Sequence, residues 1–297
     1  MSSDEWPALV YSDWEPTRDT VHMWTQIVGK TRMKLEPLVN HWWNVALYVT
    51  PAGLTTSAIP YKGKTFEVDF DFNAHRLTIV TSDGRLRAVP LYARSVADFY
   101  EEYMSALQSL GIQVQINTVP AEFDDLTPHD QDRHHASYDA DYVGRFHRAL
   151  LLSEKAFKKF RSPFIGKCSP VHFFWGSFDL AVTRFSGRRA PQQPGADSIT
   201  REGYSHEVSS CGFWPGDRRF KNAAYYSYAA PTPAGMAQQP VKPAAAYWDT
   251  QVLNEFVLKY ENVRSTGSPQ SEILDFCQST YEVAANLGKW DRASLER

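Results

Sequence analysis

An aromatic strand motif recurs half a chain apart, and this recurrence limits the fold more than any other feature of the sequence. His41-Trp42-Trp43 matches His172-Phe173-Phe174 at an offset of 131 residues, and Leu47-Tyr48-Val49-Thr50 matches Leu180-Ala181-Val182-Thr183 at an offset of 133. The two extra residues leave pleat parity unchanged, so both stretches keep the same faces. Each follows a segment with helical spacing. Val21, Trp24, Val28, Arg32 and Leu35 mark a helix over 17–35, and Phe146, Leu150, Phe157 and Phe160 mark one over 138–161. Downstream, Phe66-Glu67-Val68 matches His206-Glu207-Val208. Two halves related by duplication follow from these matches.

The strands read as antiparallel. In Thr65–Phe72, Phe66, Val68, Phe70 and Phe72 alternate with Glu67, Asp69 and Asp71, the pattern of a sheet with one buried and one wet face. Strands are predicted at 41–50, 54–59, 65–72, 77–80, 86–92, 114–119 and 171–183. A helix capped by Ser95 runs to Leu110, and a last one spans 271–287. The fold class is therefore α+β: two similar α-β-β-β-β-α halves, each an antiparallel sheet with helices packed on one side. The halves are 1–119 and 138–297, joined by a solvated acidic and histidine-rich linker at 120–137 with Asp124, Asp125, Asp130, Asp132, His134 and His135. Arg188–Gly203 reads as an insertion in the second half.

Composition removes whole classes of function. With 31 Lys and Arg against 34 Asp and Glu, bulk charge does not suit nucleic acid. No apolar run is long enough for a membrane span. Three cysteines form no disulfide framework, and the start, with Asp4 and Glu5, is no signal peptide. The expectation is a cytoplasmic protein whose partner is a small molecule.

Comparing the halves points to a site. Where the first half has Phe66, Val68 and Phe70 on an inward face, the second has His206, Val208 and Ser210. Polar groups at core positions cost free energy unless they are satisfied, so a ligand cavity is expected there. His172 shares parity with Phe174, Phe178, Leu180 and Val182 and is expected to look inward too, although His41 in the equivalent place leaves a structural role open. Two inward imidazoles suit acid/base work or a divalent metal. Glu207 joins them only if the strand is bulged, because adjacent strand residues face opposite ways, and Asp179 is out of phase for the same reason. Arg184 and Arg188 would bind an anionic group, and Trp43, Trp175 and Trp214 would form apolar walls. Cys168 near His172, and the Asp/His cluster of the linker as a metal site, are weaker signals.

The text from Val171 to Arg188, VHFFWGSFDLAVTRFSGR, closely resembles the bacterial family known as domain of unknown function 5996. So do His22–Lys30 (HMWTQIVGK), Asn40–Trp43 and Tyr204–Ser210. The resemblance covers nearly the whole chain and implies no catalytic role for any residue. The residues themselves favour an enzyme on a small anionic molecule, with His172, His206 and Ser210 at its centre. The alternatives are a non-catalytic module using the same pocket and a structural protein with no active site.

Overall fold

The computed structural model describes residues 5–192 and 194–297; Asp4 of the acidic start and Gln193 of the predicted insertion lie outside the described residues. The first half opens with α1 (Tyr11–Leu35) and closes with α2 (Val96–Ser109), whose N-cap is the predicted Ser95, accepting from the Asp98 N–H. Between them run β1 (Tyr48–Val49), β2 (Gly53–Thr55), β3 (Ile59–Tyr61), β4 (Lys64–Asp71), β5 (Arg76–Thr81) and β6 (Leu86–Pro90). All pairs are antiparallel in the order β1-β2-β4-β5-β6, with β3 also on β4.

The second half repeats the plan. After α3 (Ala140–Arg161) come β7 (His172–Phe174), β8 (Asp179–Arg189), α4 (Ser198–Gly203), β9 (His206–Trp214), β10 (Ala224–Ala230), β11 (Tyr247–Asp249) and β12 (Glu255–Lys259). Then α5 (Tyr260–Arg264), α6 (Pro269–Leu287) and α7 (Arg292–Leu295) end the chain. The sheet is antiparallel in the order β7-β8-β9-β10-β12-β11. The fold is thus α+β, with two six-stranded antiparallel sheets and helices on one side of each. Leu47 beside β1 and Phe173 of β7 exchange both backbone hydrogen bonds, each 2.8 Å, so the two sheets meet edge to edge. A common hydrophobic core draws on α1, both sheets, α3 and α6. Among the described residues no helix is long and apolar enough to cross a membrane.

Several predicted strands take another form. Residues 40–45 make a 3₁₀ turn in which His41 and Trp42 are left-handed, φ 59° each. The His41 N–H donates to Glu202 Oε1 at 2.9 Å, which holds the chain in a conformation no strand permits. The expected strand at 171–183 is a hairpin: it turns at 175–178, with Phe178 left-handed, so parity does not carry across it. Residues 114–119 form no strand.

The 120–137 connection is pinned down rather than solvated throughout. His129 and Asp132 are buried in it. One stripe of α1 holds its start: Gln26 donates from Nε2 to the Ala121 carbonyl and accepts the Ala121 N–H at Oε1, both 2.8 Å, and Lys30 Nζ donates to the Val119 carbonyl. One turn earlier, His22 Nε2–H reaches the carbonyls of Trp175 and Gly176 at 2.9 Å. His22, Gln26 and Lys30 recur every fourth residue and so share a face. Gly29 lies on α1 where a Cβ would sit 2.2 Å from the Trp175 indole; only glycine admits the ring there.

Candidate functional site

The two faces of the second sheet meet different neighbours. Leu180, Val182, Phe213 and Tyr225 pack under α3 and α6. The residues between them in sequence point the other way and floor a cavity of about 930 Å³. In the first sheet the corresponding outward face carries half-buried Glu67 and Asp69 on β4 and exposed Arg76 and Val80 on β5. In the second it is roofed by the 40–45 turn, residues 121–124, α4 with Tyr204, and the 214–219 loop. These aromatic, half-wet walls suit a small organic ligand.

The floor is acidic at one end. Asp179 accepts hydrogen bonds from Ser177 Oγ and Tyr226 Oη and is 5% exposed. Burial raises its pKa to about 6 despite those two donors. Burial, with Asp179 and Asp249 nearby, pushes Glu255 to about 8. Glu122 is exposed at the cavity rim, and its carboxylate fits over Gly176, where a Cβ would lie 2.7 Å from it. Tyr226 and Tyr228 stack in parallel, and the Tyr228 and Tyr204 hydroxyls are 3.1 Å apart. Among the described residues none of the three carboxylates has a cationic partner within salt-bridge distance. Arg18, Arg218 and Arg219 also line the cavity, but Arg18 pairs with Asp19, Arg218 with Glu15 and Asp19, and Arg219 with Asp217.

The residues expected from the sequence divide. Ser210 lies on the floor, its Oγ 2.9 Å from Thr183 Oγ1, and Trp43, Trp175 and Trp214 are walls. Trp175 also donates its indole N–H to the Val45 carbonyl at 2.8 Å, which fixes the ring.

His172 and His206 are not brought together. His172 packs edge-on against Trp43 at 5.7 Å, and His206 against His41 at 5.5 Å, so two further rings come between them. Neither imidazole lines the cavity. His172 pairs with Ala181 rather than sharing a face with Leu180, because of the hairpin. It is fully buried with neither ring nitrogen bonded, and burial lowers its pKa to about 3, so it stays neutral. His206 was matched to Phe66 of the helix-packed face, but β9 puts His206, Val208 and Ser210 on the cavity side and Cys211 and Phe213 under the helices.

The two arginines do not serve as an anion site either. Arg184 is 1% exposed on the helix side, stacked over Phe160 at 3.5 Å and Tyr281 at 4.3 Å, and it donates to the Phe160 carbonyl. Arg188 bonds the Gly288 and Lys289 carbonyls at the end of α6, where a cation complements the helix dipole, and pairs with Glu207 at 2.7 Å. Glu207 also accepts from Ser186, so it is a paired surface carboxylate, and no bulge turns it into the cavity; the register shift lies in β8, between Phe185 and Arg189.

Glu255, Glu122 and the three tyrosines line the cavity without having been singled out in the sequence, and Asp179, set aside there as out of phase, lines it too. The alternation of Tyr226 and Tyr228 around Ser227 was the signal available for two of them. For a metal, the ligand atoms of Asp125, His134 and His135 lie within 4.8 Å of one another on the connection, and they are the one such group among the described residues. His134 Nε2 is 2.6 Å from Asp125, and His135 Nδ1 is 2.8 Å from Asp132.

The sequence matches the family described as "Family of unknown function (DUF5996)" over residues 6–297. No curated protein and no solved structure matches it.

Proposed function

Because the chain belongs to this family of unknown function, we propose its role from the cavity: it binds a small organic cation, an amine or guanidine with an apolar body, and exchanges protons with it. The observation that carries this is buried Asp179 beside half-buried Glu255, neither within salt-bridge distance of a cation, inside an aromatic enclosure with exposed Glu122 at its rim. Aromatic faces attract cations, and desolvated carboxylates need one. A bare divalent ion suits these three less well, since their oxygens do not gather within 4.8 Å.

The pair Asp179 and Glu255 supports the proton-transfer part. At pH 7 a carboxyl with pKa about 6 is mostly ionised and one with pKa about 8 mostly protonated, so one site offers a base and an acid together. This reading replaces an anionic substrate held by Arg184 and Arg188 and worked on by His172 and His206, because both arginines are engaged elsewhere and the two imidazoles neither meet nor line the cavity. A non-catalytic module would use the same cavity without turnover.

The test is binding of simple aliphatic and aromatic amines, followed by quenching of the wall tryptophans. Wild type is expected to bind the amines more tightly as pH rises from 5 to 8 and to release protons on binding. Asp179→Asn with Glu255→Gln should abolish the response. Amine binding unchanged in that double variant, or no amine bound at any pH, would sink the reading.

A further inference from the structure

Resting on the cation reading, we infer a second, anion-binding subsite at the far rim of the same cavity, where exposed Lys167 and half-buried His206 flank the lining residue His41, so that the ligand is bipolar. The floor strand β8 runs from Asp179 to Phe185, roughly 20 Å at the usual strand rise. The acidic end sits at Asp179, across from Tyr226 and Glu255. At the other end Phe185 pairs with Val208, and both line the cavity with His41 and Trp43. Lys167 Nζ lies against three of these lining groups: 2.6 Å from His41 Nε2, 4.9 Å from the Phe185 ring and 5.3 Å from the Trp43 ring.

The charge balance at this end favours an anion. Lys167 is the ammonium, and it donates to His41 Nε2, which marks that nitrogen as the bare one and His41 as neutral. His41 Nδ1–H is spent on the Glu202 carbonyl at 3.1 Å. His206 stands edge-on to His41, with its Nδ1 3.1 Å from Ser205 Oγ. Arg189 lies opposite His206 across the strand pair. The one carboxylate among these groups is Glu202, and it is occupied by the His41 backbone N–H. Lys167 and Arg189 therefore outweigh it. A carboxylate or phosphate fits beside Lys167, since an ammonium with three donors has spent one on His41. A zwitterion with an extended apolar middle would span Ser210, Thr183 and the tryptophans between the two ends.

The probes are straight-chain alkylamines and ω-aminoalkanoates of matched length, from eight to sixteen carbons, titrated against the full chain with tryptophan fluorescence. At the best length the aminoalkanoate is expected to bind about tenfold or more tightly than the amine. Lys167→Met should erase that gain and leave amine affinity unchanged, while Lys167→Arg should keep most of it. Where Lys167→Met lowers the melting temperature, Lys167→Gln, which retains a donor but no charge, makes the same comparison. Equal affinity for both series at every length, or equal loss of both in Lys167→Met, overturns the subsite. The two readings fail separately. If plain alkanoates bind and lose affinity in Lys167→Met while amines bind at no pH, the subsite stands and the cation reading falls. If amines bind through Glu255 with no gain from a carboxylate, the reverse holds.

Discussion

Arg184 shows what a single residue's setting decides. Its side chain lies among Phe160, Phe164 and Tyr281, with a backbone carbonyl as its anchor. Arg184→Ala is expected to destabilise the protein by roughly 2–4 kcal/mol through lost packing and cation–π contact, with no change in ligand affinity, read by denaturant melts and titration. Asp179 and Glu255 behave oppositely. Their folded pKa values lie above ordinary carboxyl values, so the folded protein holds more protons than the unfolded chain and stability falls as pH rises from about 4 to about 8. Asp179→Asn or Glu255→Gln should therefore stabilise the ligand-free protein at pH 8 by on the order of 1–3 kcal/mol and do little at pH 4. His172 works at the acid side. Held neutral with its pKa near 3, it contributes no penalty at pH 7, but below its unfolded value near 6.5 the unfolded chain takes up a proton that the native one refuses. His172→Phe should flatten the loss of stability between pH 6.5 and 4 in a melting series. At this scale alternation was legible within β9, where His206, Val208 and Ser210 do share a face, but it did not say that this face is the roofed one rather than the helix-packed one. It misled at Asp179 and His172, because the reading ran straight through the hairpin at 175–178 that turns their faces over.

At the scale of elements, the helices were legible because their apolar spacing and caps are local. The run around β4 was legible because its alternation has one buried partner. The 40–45 turn was not: His41-Trp42-Trp43 has strand composition, and only Glu202, some 160 residues away in sequence, bends it into a left-handed turn. The aromatic repeat thus marks two equivalent places that adopt different backbones. Packing between elements leaves a test at Gly29. A methyl group there collides with Trp175, whose ring walls the cavity. Gly29→Ala should cost about 1–3 kcal/mol from overpacking and shift the tryptophan emission, whereas the same change at Gly144 of α3, where a Cβ would meet nothing, should be mildly stabilising.

At the scale of the whole molecule, the duplication is visible as a shared order of elements, yet the halves have diverged in what their outer faces do. One sheet keeps a partly exposed polar face and the other carries a roofed cavity whose walls come from the first half, the connection and the second half. That division of labour could not be read from either half alone. It also has a kinetic meaning. The hydrogen-bonded pair Leu47 and Phe173, and the contact of His41 with Glu202, close loops as long as a whole domain. Closures of that size are among the slowest productive steps of folding, because the chain loses entropy before distant contacts repay it. Each sheet can gain its own hairpins early, while the cavity exists only once both have docked. In refolding by dilution from denaturant, far-ultraviolet signal should therefore return ahead of amine binding. The bound amine would time the moment at which two half-molecules become one.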